Sequence, residues 1–575
     1  VQKRHHRHRV ATLILCLVAS ACGSPQGLPK DAASAAGGPA ANRAIIVTAH
    51  PQATEAGLAM LRQGGSAMDA AIAAQAVLGL VEPQSSGLLG GSLILLALPG
   101  QSDIVSIDGM PTAPAAATRA VSLTQEGELL DPREVAASAR AVGVPGILPA
   151  LWAAHQKAGK LPWASLFAPA IRLARDGVAM PRQLHGLLAG PGMIEALGDV
   201  AAPYLAPNGS LLAEGATFRN PDAARALDRV ARMGPEGLWQ DGGMAEALES
   251  LGQGRHRSWI TEADLISARP NIGAALCVSY QALRLCTAAP PSMGGMVMLQ
   301  TLLTVPPGDP ADPAFMHRFI EASRLAQADR RRYLADPAFV PVPVTALLDS
   351  AYLASRAGLI QADRTIGRPQ AGQVADEARA ADPGSPKAGT SQIVAADANG
   401  LVVSMTSTVT LQFGARRGAF GMVFNNALIN FAPPPPTTFA DQNDHYANEM
   451  EPGKRPLTPA TPVIVIGPDG VVLAGGGAGG IPIPDTVALA VMDILTNHRS
   501  LPSVLAAGHV HAADPDHIVL EDGTDAVALQ APLERAGHRV GRETVSTGNA
   551  FITHDGKGWH GAADPRRDGT AQGLP

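Results

Sequence analysis

Gly389-Thr390-Ser391-Gln392-Ile393-Val394-Ala395-Ala396-Asp397-Ala398-Asn399-Gly400-Leu401-Val402-Val403-Ser404-Met405-Thr406-Ser407-Thr408-Val409 is the stretch on which the reading of this chain turns. Ser391 to Ala396 and Leu401 to Val409 are two β-runs, and Asn399-Gly400 between them is the strongest short hairpin signal a sequence carries. A two-residue turn there sets residue 390 opposite residue 409, with Thr408 within one register step of Thr390. Ser404, Thr406 and Thr408 then share one strand face. That face is either solvated or a row of hydroxyls that orients a neighbour.

The stretch begins at a seam. Pro369 to Lys387, just before it, is polar, charged and poor in apolar residues, and reads as a mobile linker rather than core. A cut between Gly389 and Thr390 would leave Thr390 with a hydroxyl and a free α-amine. An α-amine has an ordinary pKa of about 7.7–8.0, so near neutral pH it serves as a local base for its own hydroxyl. Gly389 has no Cβ, which leaves room for Thr390 to attack the preceding carbonyl and cut the chain itself. A turn followed by a β-former accounts for the same residues without chemistry.

Upstream, Ile45 to Thr48 reads as a strand, and Ala53 to Gln63 and Ser66 to Leu80 as helices, the second apolar on most faces and therefore buried. Pro83 to Gly91 is a Gly/Ser loop before a buried strand, Ser92 to Leu98. Leu148 to Lys157 and Trp163 to Asp176 are predicted helices, the latter stopped by Gly177. Met316 to Leu334 is a long helix with an apolar face and a charged face ending in Arg330-Arg331-Arg332. Downstream, strands are expected at Met422 to Asn425, Val463 to Ile466 and Val471 to Ala474, and a helix at Thr486 to Leu495. Helices dominate the first two-thirds and strands the last third, so the fold class is α+β, with layered sheets flanked by helices.

Gly475 to Gly480 contains G-x-G-x-x-G, but Ile481-Pro482-Ile483-Pro484 stands where a dinucleotide fold opens its helix, and His498-Arg499-Ser500 where it needs an acid. Bare backbone here either presents amides to an oxyanion or packs closely. His509, His511, Asp514, Asp516 and His517 are ligand types in close order, yet no spacing aims them at one metal. No metal and no organic cofactor is expected.

The 575 residues are 46% hydrophobic and 16% charged with a net charge of −6, which excludes a disordered polyelectrolyte and gives no basic stripe for nucleic acid. Aromatics are only 4%, against 61 Gly and 48 Pro, so the core is aliphatic and the turns are many. Lys3, Arg4, Arg7 and Arg9 precede the apolar run Ala11 to Ala21, too short to span a bilayer and fitting a secretory signal. Cys22 after Ala19-Ser20-Ala21 resembles a bacterial lipoprotein cleavage box, with a plain signal peptide as the alternative. The expected layout is a signal at 1–22, a flexible tether at 23–42, and one body from 43 onward, periplasmic or anchored to the outer membrane. Cys277 and Cys286 lie in two short β-runs; they pair in an oxidising compartment or stay reduced and buried.

Several runs occur in an ordered series: Gly65-Ser66-Ala67-Met68-Asp69-Ala70-Ala71, Glu82-Pro83-Gln84-Ser85-Ser86-Gly87, Gly143-Val144-Pro145-Gly146, Pro290-Pro291-Ser292-Met293-Gly294-Gly295, Ala328-Asp329-Arg330, Lys454-Arg455-Pro456-Leu457 and Ala563-Asp564-Pro565-Arg566. With these runs the chain, from about Arg43 to Asp568, resembles the gamma-glutamyltransferase family of N-terminal-nucleophile hydrolases. The resemblance implies a four-layer α/β/β/α fold and a precursor that cuts itself into a large subunit region, 43–389, and a small one, 390–575, which stay together as one intertwined unit. It implies Thr390 as nucleophile, with the family's Thr-Thr-His replaced by Thr390-Ser391-Gln392, Thr408 as its hydrogen-bond partner, and Gly479-Gly480 as the oxyanion amides.

The acyl pocket departs from the pattern. Met110 stands at the family's carboxylate-binding arginine, Ala427 and Asn430 at its polar and acidic anchors, and Thr458-Pro459 at its serine pair. Asn430 and Thr458 remain the substrate-binding candidates, and Arg416 or Arg417 could replace the missing arginine. Ala432 to Arg455 matches the length of the lid. The implied activity is hydrolysis or transfer of gamma-glutamyl amides of the glutathione type. The alternatives are an acylase acting on another amide, such as a β-lactam side chain, and a catalytically dead envelope scaffold.

Overall fold

The computed structural model describes residues 43–124, 128–374, 389–433 and 446–575. The signal segment with Cys22, the tether, most of the predicted linker (375–388) and part of the lid-length segment (434–445) lie outside the described residues.

Two antiparallel sheets form the centre. The strands that build them are β1 (Ala44–Thr48), β2 (Gly91–Ala97), β3 (Ile104–Asp108), β4 (Asn271–Ala274), β5 (Leu276–Tyr280), β6 (Leu283–Thr287), β7 (Gly389–Ala396), β8 (Val402–Thr410), β9 (Val463–Gly467), β10 (Gly470–Ala478), β11 (Gly548–His554), β12 (Trp559–Ala563) and β13 (Thr570–Leu574). The first sheet runs β13-β1-β7-β8-β2-β3-β4 and the second β12-β11-β10-β9-β6-β5. Each sheet therefore pairs strands from both sides of residue 389.

Helices cover the outer faces. On the first sheet lie α1 (Pro51–Arg62), α2 (Ala67–Val81), α3 (Ile147–Ala158) and α4 (Trp163–Asp176); on the second lie α5 (Met293–Thr304), α6 (Pro313–Tyr333) and α7 (Ile483–Thr496). One core joins Ile46, Ile94, Ile393, Val403 and Met405 to the first helix group. A second joins Leu285, Val463, Leu473 and Phe551 to α5, α6 and α7. Between the sheets lie Val47, Leu95, Val394, Val402, Ile464, Ala474 and Ile552. This is the expected four-layer α/β/β/α stack.

Local chemistry sets the main elements. The Ser66 hydroxyl and the Asp69 carboxylate form a reciprocal capping box that starts α2. The same carboxylate accepts from the Lys160 and Leu161 amides and so ties α2 to the α3–α4 turn. Almost all of α2 is buried, as its all-round apolarity predicts. Gly177 ends α4 with φ 110°, a backbone conformation that suits glycine.

Two expectations change, those for the β7–β8 turn and for the linker. The β7–β8 hairpin does not turn at Asn399-Gly400 alone: Val402 pairs with Ala396, so five residues form the loop. Asp397 explains it, because its carboxylate accepts from the Asn399, Leu401 and Ala67 amides and holds the turn to α2. The charged face of α6 is buried, with Arg324 bound to Glu321 and Arg356 to Asp329. Part of the predicted linker is fastened to the body: the Gly372 amide donates to Asp329, and its carbonyl accepts from Tyr333. Cys277 and Cys286 lie directly opposite each other on β5 and β6 and are joined as a disulfide.

Candidate active site

The hydroxyl face of β8 turns inward. Ser404, Thr406 and Thr408 are buried between the sheets, which rules out the solvated alternative. The Ser404 hydroxyl donates to the Gly475 carbonyl at 2.6 Å. Thr406 donates to the Gln392 side-chain oxygen at 2.6 Å, and the Gln392 amide donates back to Ser404 at 3.0 Å. Here Gln392, which stands where the resembled family has histidine, is a strut between two strands and the glycine run of β10. A Cβ on Gly476 would lie 2.8 Å from the Gln392 side chain, so the glycines allow the two sheets to close on this polar seam.

The register shifts between Ser407 and Thr410, leaving a bulge at Thr408 and Val409. The Thr408 oxygen accepts the Thr410 amide at 2.8 Å and faces the Thr390 hydroxyl at 3.5 Å. The Thr408 hydroxyl donates to the Gly389 carbonyl in a very short contact. The carbonyl that a cut at 389–390 must open, and the hydroxyl that must open it, thus meet on one side chain. Gly389 is also pressed against the Pro83–Ser85 loop: a Cβ there would lie 2.7 Å from the Gln84 carbonyl. The loop by itself requires a residue without a Cβ here, whether or not the chain is cut.

On the other side of Thr390 lies a buried charge pair that sequence reasoning missed. Arg567 donates to the Thr390 carbonyl at 2.9 Å and sits 3.6 Å from Glu82, which accepts from the Ser391 hydroxyl at 2.6 Å. Burial pushes the Glu82 carboxyl up, and the Arg567 charge and the Ser391 bond oppose that rise. The clue was present: Arg567 directly follows the Ala563-Asp564-Pro565-Arg566 run, and Glu82 opens another of the quoted runs.

β10 ends at Ala478, and Gly479 and Gly480 follow with φ of 117° and 88°, leading into α7. Ser404 contacts Gly475 and Gln392 contacts Gly476, so the same direction of travel carries Thr408 and Thr390 toward this glycine pair.

The acyl-side candidates gather on one wall. Gly91 pairs with Thr408, and the Met110 Cα fills the space where a Gly91 side chain would stand. The Met110 side chain packs with Leu93, Ala288 and Ala460, and its amide is held by Asp108 at 2.8 Å. Asn430 spends its amide on the Leu457 carbonyl, and the Thr458 oxygen accepts the Ala460 amide. Arg416 lines a cavity that also contains Gly479, whereas the Arg417 guanidinium lies by Gly254.

The histidine-rich stretch does not converge. His509 lies beside Asp564, 3.6 Å away, and burial pushes it well below the usual histidine range; His517 is exposed beside Asp514. A different group, His317, Glu321 and His538, does come together. Its carboxylate is already taken by Arg324, the Thr365 hydroxyl and the Ile366 amide, so the cluster is an ion-pair junction.

The ordered runs and this geometry agree with a comparison at the family level: the model described as Gamma-glutamyltranspeptidase matches residues 53–574. The chain belongs to the gamma-glutamyltranspeptidase family. Within this enzyme family it is similar to the Glutathione hydrolase proenzyme of Bacillus subtilis (strain 168), 31% identical over 549 residues, covering 92% of this chain and 91% of that protein. It is equally similar to the Acylase ACY 1 proenzyme of Pseudomonas sp. (strain SE83), 32% identical over 548 residues, covering 92% and 93%. The fold matches a crystal structure of cephalosporin acylase from Bacillus halodurans with a TM-score of 0.83 over 96% of this chain and 99% of that one, at 24% identity. The gamma-glutamyltranspeptidase family thus includes relatives of two specificities at nearly the same distance from this chain.

Proposed function

We propose that the chain is a self-processing gamma-glutamyltransferase-type amidohydrolase with Thr390 as its nucleophile. The observation that carries this reading is the Thr408 hydroxyl, which bridges the Gly389 carbonyl and the Thr390 hydroxyl. In maturation the Thr390 oxygen attacks the Gly389 carbonyl carbon while Thr408 polarises its oxygen. The peptide C–N bond breaks, an ester forms, and the hydroxyl proton passes to the nitrogen. Water then hydrolyses the ester, leaving a Gly389 carboxylate and a free α-amine on Thr390.

In turnover that amine takes the Thr390 proton as the hydroxyl attacks a substrate amide. The Gly479 and Gly480 amides hold the oxyanion, the acyl group rests on Thr390, and water or an amine removes it. Arg567 and Glu82 fix the backbone on which the nucleophile stands. The default donor is a gamma-glutamyl compound such as glutathione.

A second reading within the same mechanism is an acylase for a non-glutamyl amide. The apolar Met110 cluster and the engaged Asn430 amide favour it, because neither offers a charge to an amino acid head group. The N-terminal signal reading adds export and lipidation at Cys22, and the Cys277–Cys286 disulfide supports an oxidising compartment; mass analysis of the mature N-terminus tests it.

Denaturing electrophoresis with N-terminal sequencing tests the central claim. Wild type should give two fragments, the smaller beginning at Thr390, and Thr390→Ala should give one band and no turnover. A single intact wild-type band would remove the mechanism and favour the scaffold alternative.

A further inference from the structure

The helix layer over the first sheet ends early. α3 packs on β2 and β3, and β4, the strand beyond them, ends the sheet with no neighbour on its outer side among the described residues. Ile272 of β4 pairs with Ile107 and so shares its face. Ile107 is buried in the core under the helices, yet Ile272 is 44% exposed. A cavity of about 560 Å³ opens at this bare end, walled by Leu148 and Trp152 of α3 and by Trp239, Leu265 and Ile272.

Two features mark this end as a contact face. Six large apolar side chains are exposed among the described residues, and three of them, Met233, Ile266 and Ile272, stand at this one cavity. Scattered apolar side chains are ordinary on a surface, whereas a group around a hollow marks an interaction site. The strand edge is also unguarded. Asn271-Ile272-Gly273-Ala274 is exposed throughout and carries no charge and no proline, the usual guards of a free edge. A Cβ on Gly273 would meet nothing within 4 Å, so the other face of the strand is open as well. Glu236 and Arg269 are the cavity's ionisable groups, one of each sign, and Arg269 is held at the rim by the Ile266 and Ala268 carbonyls.

We propose that this face receives a second copy of the chain, with β4 pairing antiparallel to the β4 of that copy across a two-fold axis. The face is self-complementary in three respects. A free strand edge offers both donors and acceptors, so it pairs with itself in the antiparallel sense. Met233, Ile266 and Ile272 project around a hollow, and a two-fold contact turns each copy's projections toward the other's hollow. One acid and one base leave no surplus of like charge, and the symmetry offers Glu236 to the copy's Arg269 twice over. The two seven-stranded sheets then run on as one across the axis. Thr390 and its neighbours take no part, so the proposal stands apart from the reading of the nucleophile.

Light scattering on the purified chain over a dilution series tests it. Cutting does not affect the result, because both fragments count toward one protomer's mass. Wild type should run at twice the protomer mass and dissociate on dilution. Ile272→Lys sets a charge at the centre of the contact and should weaken dimerisation by about thirtyfold or more, the scale of a central interface anchor. Gly273→Glu, whose side chain meets open space in the protomer, should weaken it too and keeps the test clear of any folding defect in the first variant. Amide exchange at residues 271–274 should be slow in the wild-type dimer and fast in both variants. Protomer mass at every concentration, or a dimer that survives both substitutions, would overturn the proposal. A chain that stays a protomer and binds free indole, with a fluorescence change lost in Trp152→Phe, would overturn it by giving the cavity to a small apolar ligand.

Discussion

Around Thr390, the β7–β8 face and the Met110 wall treat polar atoms in opposite ways. On the hairpin, hydroxyls and an amide face inward and answer one another: Thr408 to Gly389, Thr406 to Gln392, Gln392 to Ser404, Ser404 to Gly475. On the wall, Met110 joins Leu93, Ala288 and Ala460 in an apolar patch, and the Asn430 amide is consumed by the Leu457 carbonyl. On the proposed reading the hairpin carries the residues that break the bond, while the wall has Met110 where the resemblance implies an arginine. If that reading holds, chemistry and specificity sit on different segments and can change separately.

Replacing Thr408 by Val breaks the hairpin side hardest. It removes the donor to the Gly389 carbonyl, and self-cleavage followed by gel densitometry should slow by about 10²–10³-fold, the usual loss for one oxyanion donor. Arg567→Gln comes next: it leaves the Glu82 carboxylate buried without its counter-ion, and thermal or urea unfolding should show a loss of about 3–5 kcal/mol. The double variant Glu82→Gln with Arg567→Gln should recover most of that loss, and a double variant as unstable as the single one would show that the pair is not coupled.

The wall is probed by Met110→Arg. If the absent fork explains poor gamma-glutamyl recognition, turnover of a gamma-glutamyl anilide should rise about tenfold. Brisk wild-type turnover of that anilide would show the wall to be no barrier.

Asp485 in the first turn of α7 gives a control away from both faces. Burial pushes its carboxyl up to about 6, against the opposing Ser323 and Ala512 bonds. The fold thus favours the protonated form. The stability this contributes is complete below the ordinary carboxyl range and is lost as pH rises through about 6. Asp485→Asn should remove a slope on the order of 3 kcal/mol between about pH 4 and 7, measured by chemical unfolding, at about 1.4 kcal/mol per pKa unit. An unchanged slope would place the titration elsewhere.

The hairpin was legible in the sequence because β-runs and Asn-Gly are local signals, and Thr408 fell within one register step of Thr390 as expected. The turn itself was misjudged, since Asp397 reaches across to the Ala67 amide, a contact 330 residues distant in the chain. The burial of the charged face of α6 was out of reach of the sequence for a similar reason. Periodicity shows which residues are charged, but only packing shows that Glu321, Arg324 and Asp329 bring their partners inside with them.

The order of the motifs, the glycine before Thr390, the hydroxyls two residues apart on β8 and the departure at Met110 are covalent facts, and they determined the family, the candidate nucleophile and the doubt about its substrate. Only the folded chain decided that the hydroxyl face points between the sheets, that Arg567 holds the Thr390 carbonyl, that the five acids and histidines after residue 508 do not converge, and that Arg416 shares a cavity with Gly479. The physical reason is range. Spacing along a strand fixes which side chains share a face, whereas what that face meets depends on sheets assembled from segments hundreds of residues apart.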